Sequence, residues 1–324
     1  MEQAFSPTVW VVTDGKAGME SQCVGLAEAL GLTPVIKRVR LRKFWRDFSP
    51  YINLWKRLAI SRKGDRLRPP WPDMVIASGR QSILPALHIK QMSGGKTFLI
   101  QIQNPAIPTS NFDMVIVPEH DKLEGKNVVS VQGALHRVTP EILKAQADKW
   151  APAFAHLPRP YVAVLLGGSN GAYKLDPRFI MQFGEQLSAL SKKEKVSLLV
   201  TPSRRTGDAN MVLLSALLHD CPNMIWDGQS DNPYYGMLGL ADAIIVTCDS
   251  INMVSEACRT GKPVHVVQLP GHSDKFSSFH QSLLIDKRIR FFDGSLVNWS
   301  PKPLDEMSRV ASLVRDAYLT KNTK

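Results

Sequence analysis

The strongest constraint in this sequence is an alternation that runs through it twice. Short apolar runs, each ending in a polar or glycine turn, alternate with helical patterns. Val9–Thr13 leads into Asp14-Gly15-Lys16-Ala17-Gly18, then a helical segment over Ser21–Leu30 that stops at Gly31. Pro34–Val39, Met74–Ala77, Thr97–Gln101 and Met114–Val117 continue the series. Their turns are Ser78-Gly79-Arg80, Asn104-Pro105 and Pro118-Glu119-His120-Asp121. Strands alternating with helices mean βα units and a parallel sheet. The three prolines of "APAFAHLPRP", Ala151 to Pro160, read as a linker. A second series follows, over Tyr161–Leu166, Val196–Thr201, Asn223–Trp226, Ala243–Thr247 and Val264–Gln268. Leu304, Met307, Val310, Ala311, Val314 and Tyr318 then keep helical spacing, which predicts an amphipathic closing helix. The expected architecture is two open α/β domains, over 1–155 and 156–300, with a helix in 301–324 closing back toward the first.

Several classes drop out. With 44% hydrophobic and 21% charged residues over 324 positions, the chain has the balance of a folded protein large enough for two cores. No run reaches the ~18 apolar residues of a membrane span. The start, MEQAFSPTVWVVTDG, has no basic segment before its apolar stretch and reads as a first core strand, not a signal peptide. Cys23, Cys221, Cys248 and Cys258 form no C-x-x-C pair and have no histidine at zinc spacing, which predicts free buried thiols, a reducing cytoplasm and no metal site. No cofactor is expected beyond the substrate itself.

In open parallel sheets ligands bind beyond the carboxyl ends of the strands, and the informative residues lie there. Gly167-Gly168-Ser169-Asn170-Gly171 lets backbone N–H groups approach an anion, although a glycine hinge has the same composition. It lacks the Gly-Lys-Ser/Thr of a P-loop. Ser203-Arg204-Arg205 ends the next strand with two guanidiniums, a shape suited to a diphosphate. Asn232-Pro233-Tyr234-Tyr235 offers an amide and rings to a base or sugar, or is an ordinary Asn-Pro turn. After Thr247, Asp249 or Ser250 can cap a helix whose first N–H groups receive a phosphate. Met253 and Glu256 follow on that helix. Glu256 lies six residues beyond Ser250, ~9 Å at 1.5 Å per residue, a reach that suits ribose hydroxyls.

"LLGGSNGAYKL" and "ADAIIVTCDSINMVSEACRTGKPVHVVQLPG" are similar to the C-terminal domain of GT-B glycosyltransferases, especially the enzyme that adds N-acetylglucosamine to the lipid-linked peptidoglycan precursor. The set "DGKAG", "FDMVIVPEHD", "TPSRRTG", "NPYYGMLGLAD" and "TCDSINMVSEA" resembles the mitochondrial-fission Elm-like family and its bacterial relatives, over residues 14 to about 294. The resemblance implies a GT-B-like fold: two Rossmann-like domains facing a central cleft that takes a nucleotide-sugar. It places Gly168, Ser169, Ser250 and Glu256 at the nucleotide. Asp14-Gly15-Lys16-Ala17-Gly18 replaces the Gly-rich, His-containing loop of the peptidoglycan enzyme, and Gly15, Lys16 and Gly18 join the candidate substrate residues.

GT-B transferases stabilise the leaving diphosphate with helix dipoles and cations, without a bound metal, and this chain has no evident Asp-x-Asp motif. An inverting transfer needs a base. Asp14, Glu119 and His120 are the candidates, with Asp14 and His120 ranked equally. Each also has a turn role.

The net charge of +11 is concentrated: residues 37–68 hold 12 Lys/Arg and 2 Asp/Glu. Leu41, Phe44, Trp45 and Phe48, then Tyr51, Trp55 and Leu58 after Ser49-Pro50, keep helical spacing within that stretch. Two short basic helices rich in tryptophan suit an anionic lipid surface, and no nucleic-acid motif accompanies them. The expected protein is a glycosyltransferase using a nucleotide-sugar donor and a cell-envelope acceptor, lipid-linked or of lipopolysaccharide type. It would sit on the inner face of the cytoplasmic membrane. A nucleotide-sugar epimerase or hydrolase, or an inactive membrane-associated adaptor, are the alternatives.

Overall fold

The computed structural model describes residues 5–49 and 56–322. The chain forms two α/β units, one of residues 1–137 with 305–324 and one of residues 138–304.

In the first unit the elements are β1 (Val9–Thr13), α1 (Ala17–Ala29), β2 (Val35–Arg38), α2 (Lys43–Phe48), α3 (Lys56–Ala59), β3 (Met74–Ser78), α4 (Ile83–Met92), β4 (Phe98–Ile102), β5 (Met114–Pro118) and β6 (Val128–Val131). The strands form a six-stranded parallel sheet in the order β2-β1-β3-β4-β5-β6. Its strands read as unbroken apolar runs because both faces are covered. Val9, Val11, Ile76 and Ile100 point to one face, under Leu26 of α1. Val12, Val75, Ala77 and Leu99 alternate to the other, under Ile83 and Leu87 of α4.

The second unit holds α5 (Pro140–Phe154), β7 (Tyr161–Leu166), α6 (Pro177–Glu194), β8 (Ser197–Pro202), α7 (Asp208–Leu217), β9 (Asn223–Ile225), α8 (Tyr234–Leu240), β10 (Ala243–Thr247), α9 (Ile251–Arg259), β11 (Val264–Val267), α10 (Asp274–Ile285) and β12 (Ile289–Phe291). Its parallel sheet runs β12-β11-β10-β7-β8-β9. The chain builds outward from β7 to β9, then crosses back to β10. The switch point therefore lies between β7 and β10, and that of the first sheet between β1 and β3.

The expected boundary differs from the observed one. Residues 140–154 form a helix capped by the Thr139 hydroxyl, which accepts from Ile142 N at 3.2 Å, with Pro140 in its first turn. Pro152 lies inside this helix. The helix packs on α8, so "APAFAHLPRP" belongs to the second unit and the crossing falls near Arg137. At the other end Leu304 is buried in the second unit, and the closing helix α11 (Met307–Asn322) packs on α1 of the first.

Two elements are shorter than the basic stretch predicts. Helix α2 has six residues and α3 four, and Leu41 pairs with Ile60 in an isolated bridge. Trp45 packs against Leu41, Ala59 and Leu84, whereas Phe44 is 53% exposed. Pro50, Tyr51, Trp55 and the Phe48 side chain lie outside the described residues. Among the described residues no helix is long and apolar enough to cross a membrane.

Candidate functional site

The loops after β7 and β10 meet at the switch point of the second sheet. Asp249 is the hub, its side chain fully buried. It accepts Gly168 N at 2.9 Å and the Thr247 hydroxyl at 2.7 Å, and it pairs with the Arg205 guanidinium at 2.7 Å. Arg205 also donates to the Gly168 carbonyl at 2.8 Å, so one guanidinium ties β8's loop to the other two. Gly167 N donates to Thr247 Oγ1 at 2.8 Å, and the Gly167 carbonyl accepts from the Ser203 and Thr206 hydroxyls.

These contacts revise the role of the glycines. The N–H groups of Gly167 and Gly168 are spent within the protein and do not face an anion. What the positions demand is close approach: a Cβ on Gly167 would lie 2.2 Å from Asp249 Oδ1, and one on Gly168 2.1 Å from the Arg205 carbonyl. Gly171 has open space instead. Ser169 and Asn170 shape the loop too. Ser169 Oγ accepts Leu175 N at 2.9 Å, and the Asn170 amide donates to the Asp249 carbonyl at 3.2 Å while its oxygen accepts from Ala172 and Tyr173.

Ser250 is the N-cap of α9, its hydroxyl accepting Met253 N at 3.4 Å. Met253 thus serves the cap through its backbone. The helix opens its positive end beside Arg205, whose side chain is 39% exposed. Arg204 is exposed and lines a groove of ≈ 790 Å³ with Ser203, Met211, Trp226 and Asp227. This combination of helix start and guanidinium can hold an anion.

Glu256 is 8% exposed, and its Oε2 accepts the Tyr234 hydroxyl at 2.6 Å. Burial raises its pKa to about 7, the Tyr234 bond opposing the rise. The same burial, with the neighbouring carboxylate, pushes the Tyr234 phenol well above its usual value. A ribose diol would have to share this carboxylate with Tyr234. Asn232 is exposed and accepts Tyr234 N at 2.9 Å, an Asx turn that starts α8.

In the first unit Asp14 lies at the switch point between β1 and β3. Its side chain is 7% exposed, pairs with Lys16 Nζ at 2.9 Å and accepts from Gln81 at 3.2 Å, Gln81 arriving from the turn after β3. Gly15 has φ +83 and donates to Thr13 Oγ1. Helix α1 begins at Ala17, so Gly18 belongs to its first turn and not to the loop. Glu119, His120 and Asp121 form a short 3-10 turn after β5. Glu119 is exposed, while the His120 side chain is 3% exposed with Nε2 3.7 Å from Asp121. Strands β1 and β5 stand three spacings apart, about 14 Å, so Asp14 and His120 share an edge without meeting.

Sequence reading missed Thr206, Gln81 and Tyr173. Thr206 stands three residues after Ser203, the spacing of a local turn, and was the most findable of them. All four cysteines are free and buried. Among the described residues no group of three His, Cys, Asp or Glu side chains is placed to hold a metal ion.

A family model described as mitochondrial fission ELM1 matches residues 17–318. The mitochondrial fission protein ELM1 of Arabidopsis thaliana is 29% identical over 390 residues, covering 94% of this chain and 90% of that protein. UDP-GlcNAc 2-epimerase from Methanocaldococcus jannaschii, solved in complex with UDP-GlcNAc and UDP, aligns with a TM-score of 0.57 at 11% identity, over 97% of this chain and 99% of that one. UGT89C1 of Arabidopsis thaliana, complexed with UDP, aligns with a TM-score of 0.50 at 12% identity, over 98% and 93%. At such identities the likeness is one of fold, the GT-B architecture of two α/β units.

Proposed function

The chain belongs to the mitochondrial fission ELM1 family, and we propose that it is a glycosyltransferase that binds a nucleotide-activated sugar at the switch point of its second sheet. The observation that carries the reading is Arg205, braced by Asp249 and Gly168 beside the N-terminus of α9. A guanidinium has five donors, and its exposed edge with the helix dipole suits a diphosphate. In the transfer, the bond from the anomeric carbon to the diphosphate oxygen breaks as the acceptor oxygen bonds that carbon. The helix start and guanidinium stabilise the charge left on the diphosphate, and Asp14 or His120 takes the acceptor's proton. The groove bordered by Arg204 and Trp226 gives room for a base.

The acceptor in this reading is a cell-envelope glycan or lipid-linked sugar reached from the inner membrane face. Exposed Phe44 and Leu58 share residues 37–68 with exposed Arg40, Arg42, Lys43, Arg62, Lys63 and Arg68, which supports an anionic lipid surface. Equal sedimentation with anionic and neutral vesicles would remove that part.

A thermal-shift and calorimetric panel of UDP-, GDP-, ADP- and CMP-sugars tests the central claim. Binding by none of them would overturn it and favour an adaptor without catalysis. An epimerase is the second reading, favoured by the fold likeness to UDP-GlcNAc 2-epimerase. It would convert the sugar without acceptor, whereas a transferase releases nucleotide only as acceptor is consumed.

A further inference from the structure

Helix α2 is fastened to the turn after β3 by a reciprocal pair of hydrogen bonds. A residue before proline is pushed out of the helical region, and Ser49, followed by Pro50, ends α2 at φ −65°, ψ 142°. Its carbonyl then accepts Arg80 Nε, and its hydroxyl donates to the Arg80 carbonyl at 3.1 Å. Ser49 is buried at 1% exposure. A second contact runs beside this clasp, where Trp45 packs on Leu84 in the first turn of α4. The turn between them is stiff, because the Ser82 hydroxyl donates to the Ser78 and Gly79 carbonyls at 2.9 and 2.7 Å. From this turn Gln81 donates to Asp14 Oδ2, the oxygen that also takes Lys16 Nζ. Within the first unit, Ser49, Arg80, Gln81 and Asp14 are therefore one continuous chain of contacts.

The outer side of α2 has the opposite character. Arg42, Lys43, Phe44 and Arg46 are exposed, as is Leu58 of α3. The Phe44 ring stands edge-on to Trp45 with centroids 5.3 Å apart, so the outward ring rests on the inward one. With six residues, α2 is well below the length of about 12–15 at which a helix begins to hold its own shape in water. It keeps that shape through the inward contacts of Trp45 and Ser49. Whatever stabilises α2 from outside thereby stabilises the contacts it makes inside, and the linkage acts in both directions.

We propose that the clasp between Ser49 and Arg80 couples the outer face of α2 to Asp14, so that docking of α2 on an anionic lipid surface fixes the turn after β3 and the carboxylate that Gln81 holds. Ser49 and Arg80 are then positioning residues, acting on Asp14 through Gln81. An acceptor carried in the membrane meets an ordered Asp14, whereas a donor met in solution finds a looser one, which limits its loss to water. The coupling rests on the anionic-surface reading above, and its use in turnover rests on the transferase reading.

Hydrogen–deuterium exchange of the full chain tests the coupling without a substrate. The vesicles are phosphatidylcholine alone or mixed equally with phosphatidylglycerol, and the proteins are wild type, Arg80→Met and Ser49→Ala. In wild type the anionic vesicles should slow exchange over residues 42–48 and, about fivefold or more, over residues 78–82; neutral vesicles should slow neither. Arg80→Met should keep the first effect and lose the second. Ser49→Ala, which leaves every charge in place, should weaken the second alone. A clasp that merely holds the fold would raise exchange of the turn equally with and without vesicles, and that result overturns the coupling. So does wild type in which residues 42–48 are protected and residues 78–82 are not, with the lipid surface still standing. If anionic vesicles protect neither segment, the lipid surface and the coupling fall together. The wild-type comparison decides even where a variant does not fold.

Discussion

The Tyr234 hydroxyl donates a 2.6 Å hydrogen bond to Glu256 Oε2, joining the first residue of α8 to the middle of α9. Because burial raises the Glu256 pKa from 4.5 to about 7, the folded state holds a proton that the unfolded chain releases between those values. Stability therefore falls as pH rises through that window and levels off above it. The difference amounts to about 3 kcal/mol at most. Glu256→Gln should lack this slope and should be the more stable protein at pH 8. Urea unfolding at pH 5 and pH 8 checks it, and parallel pH profiles for the two proteins would contradict it.

The glycine loop makes a graded prediction. Gly168→Ala drives a Cβ to 2.1 Å from a backbone carbonyl, which no side-chain rotation relieves, whereas Gly171→Ala meets nothing within 4 Å. The first substitution should cost about 2–3 kcal/mol and the second about 0.5 kcal/mol or less. Thermal melts of the two variants measure the contrast directly.

The two arginines should separate in binding. Arg205→Met removes the cation braced at the helix start, and nucleoside diphosphate affinity should drop about tenfold or more, the loss of one charge-assisted contact. Arg204→Met alters the wall of the neighbouring groove and should cost less. Titration calorimetry with one diphosphate decides, and equal losses would place the anion elsewhere.

Asp14 and His120 should not be equivalent. Asp14 lies at the switch point and meets Gln81 from the turn after β3, while His120 follows β5, three strands along the same edge. Asp14→Asn is expected to reduce turnover about 100-fold or more, within the range for a general base, with His120→Ala milder. The reverse ranking in a sugar-transfer assay would move the base to His120.

Much of this fold was legible because its strands are buried on both faces and read as plain apolar runs. The exceptions follow from the same physics. Edge strands β6 and β12 are short and largely uncovered, and Val-Val-Ser-Val or Ile-Arg-Phe carries too little pattern to stand out. The linker failed because Pro152 sits in the last turn of a helix that buries Phe154 against Trp150, a tertiary contact invisible in composition. At the site, parallel topology put the right segments on one edge. It did not reveal pairings: Gly168 meets Asp249 across 81 residues and Tyr234 meets Glu256 across 22. Those contacts decide which N–H groups and carboxylate oxygens are already in use.

Helix α11 returns to the first unit after the whole second unit has been threaded, with Tyr318 edge-on to Phe5 and Phe98. This has a consequence in time. During synthesis the second unit can complete its sheet while the first still lacks the strip formed by Met307, Val310 and Val314. Its α1 face stays bare until residue 322 leaves the ribosome. Synthesis of α11, and not the emergence of residues 1–137, is then the moment at which the first unit can close its core.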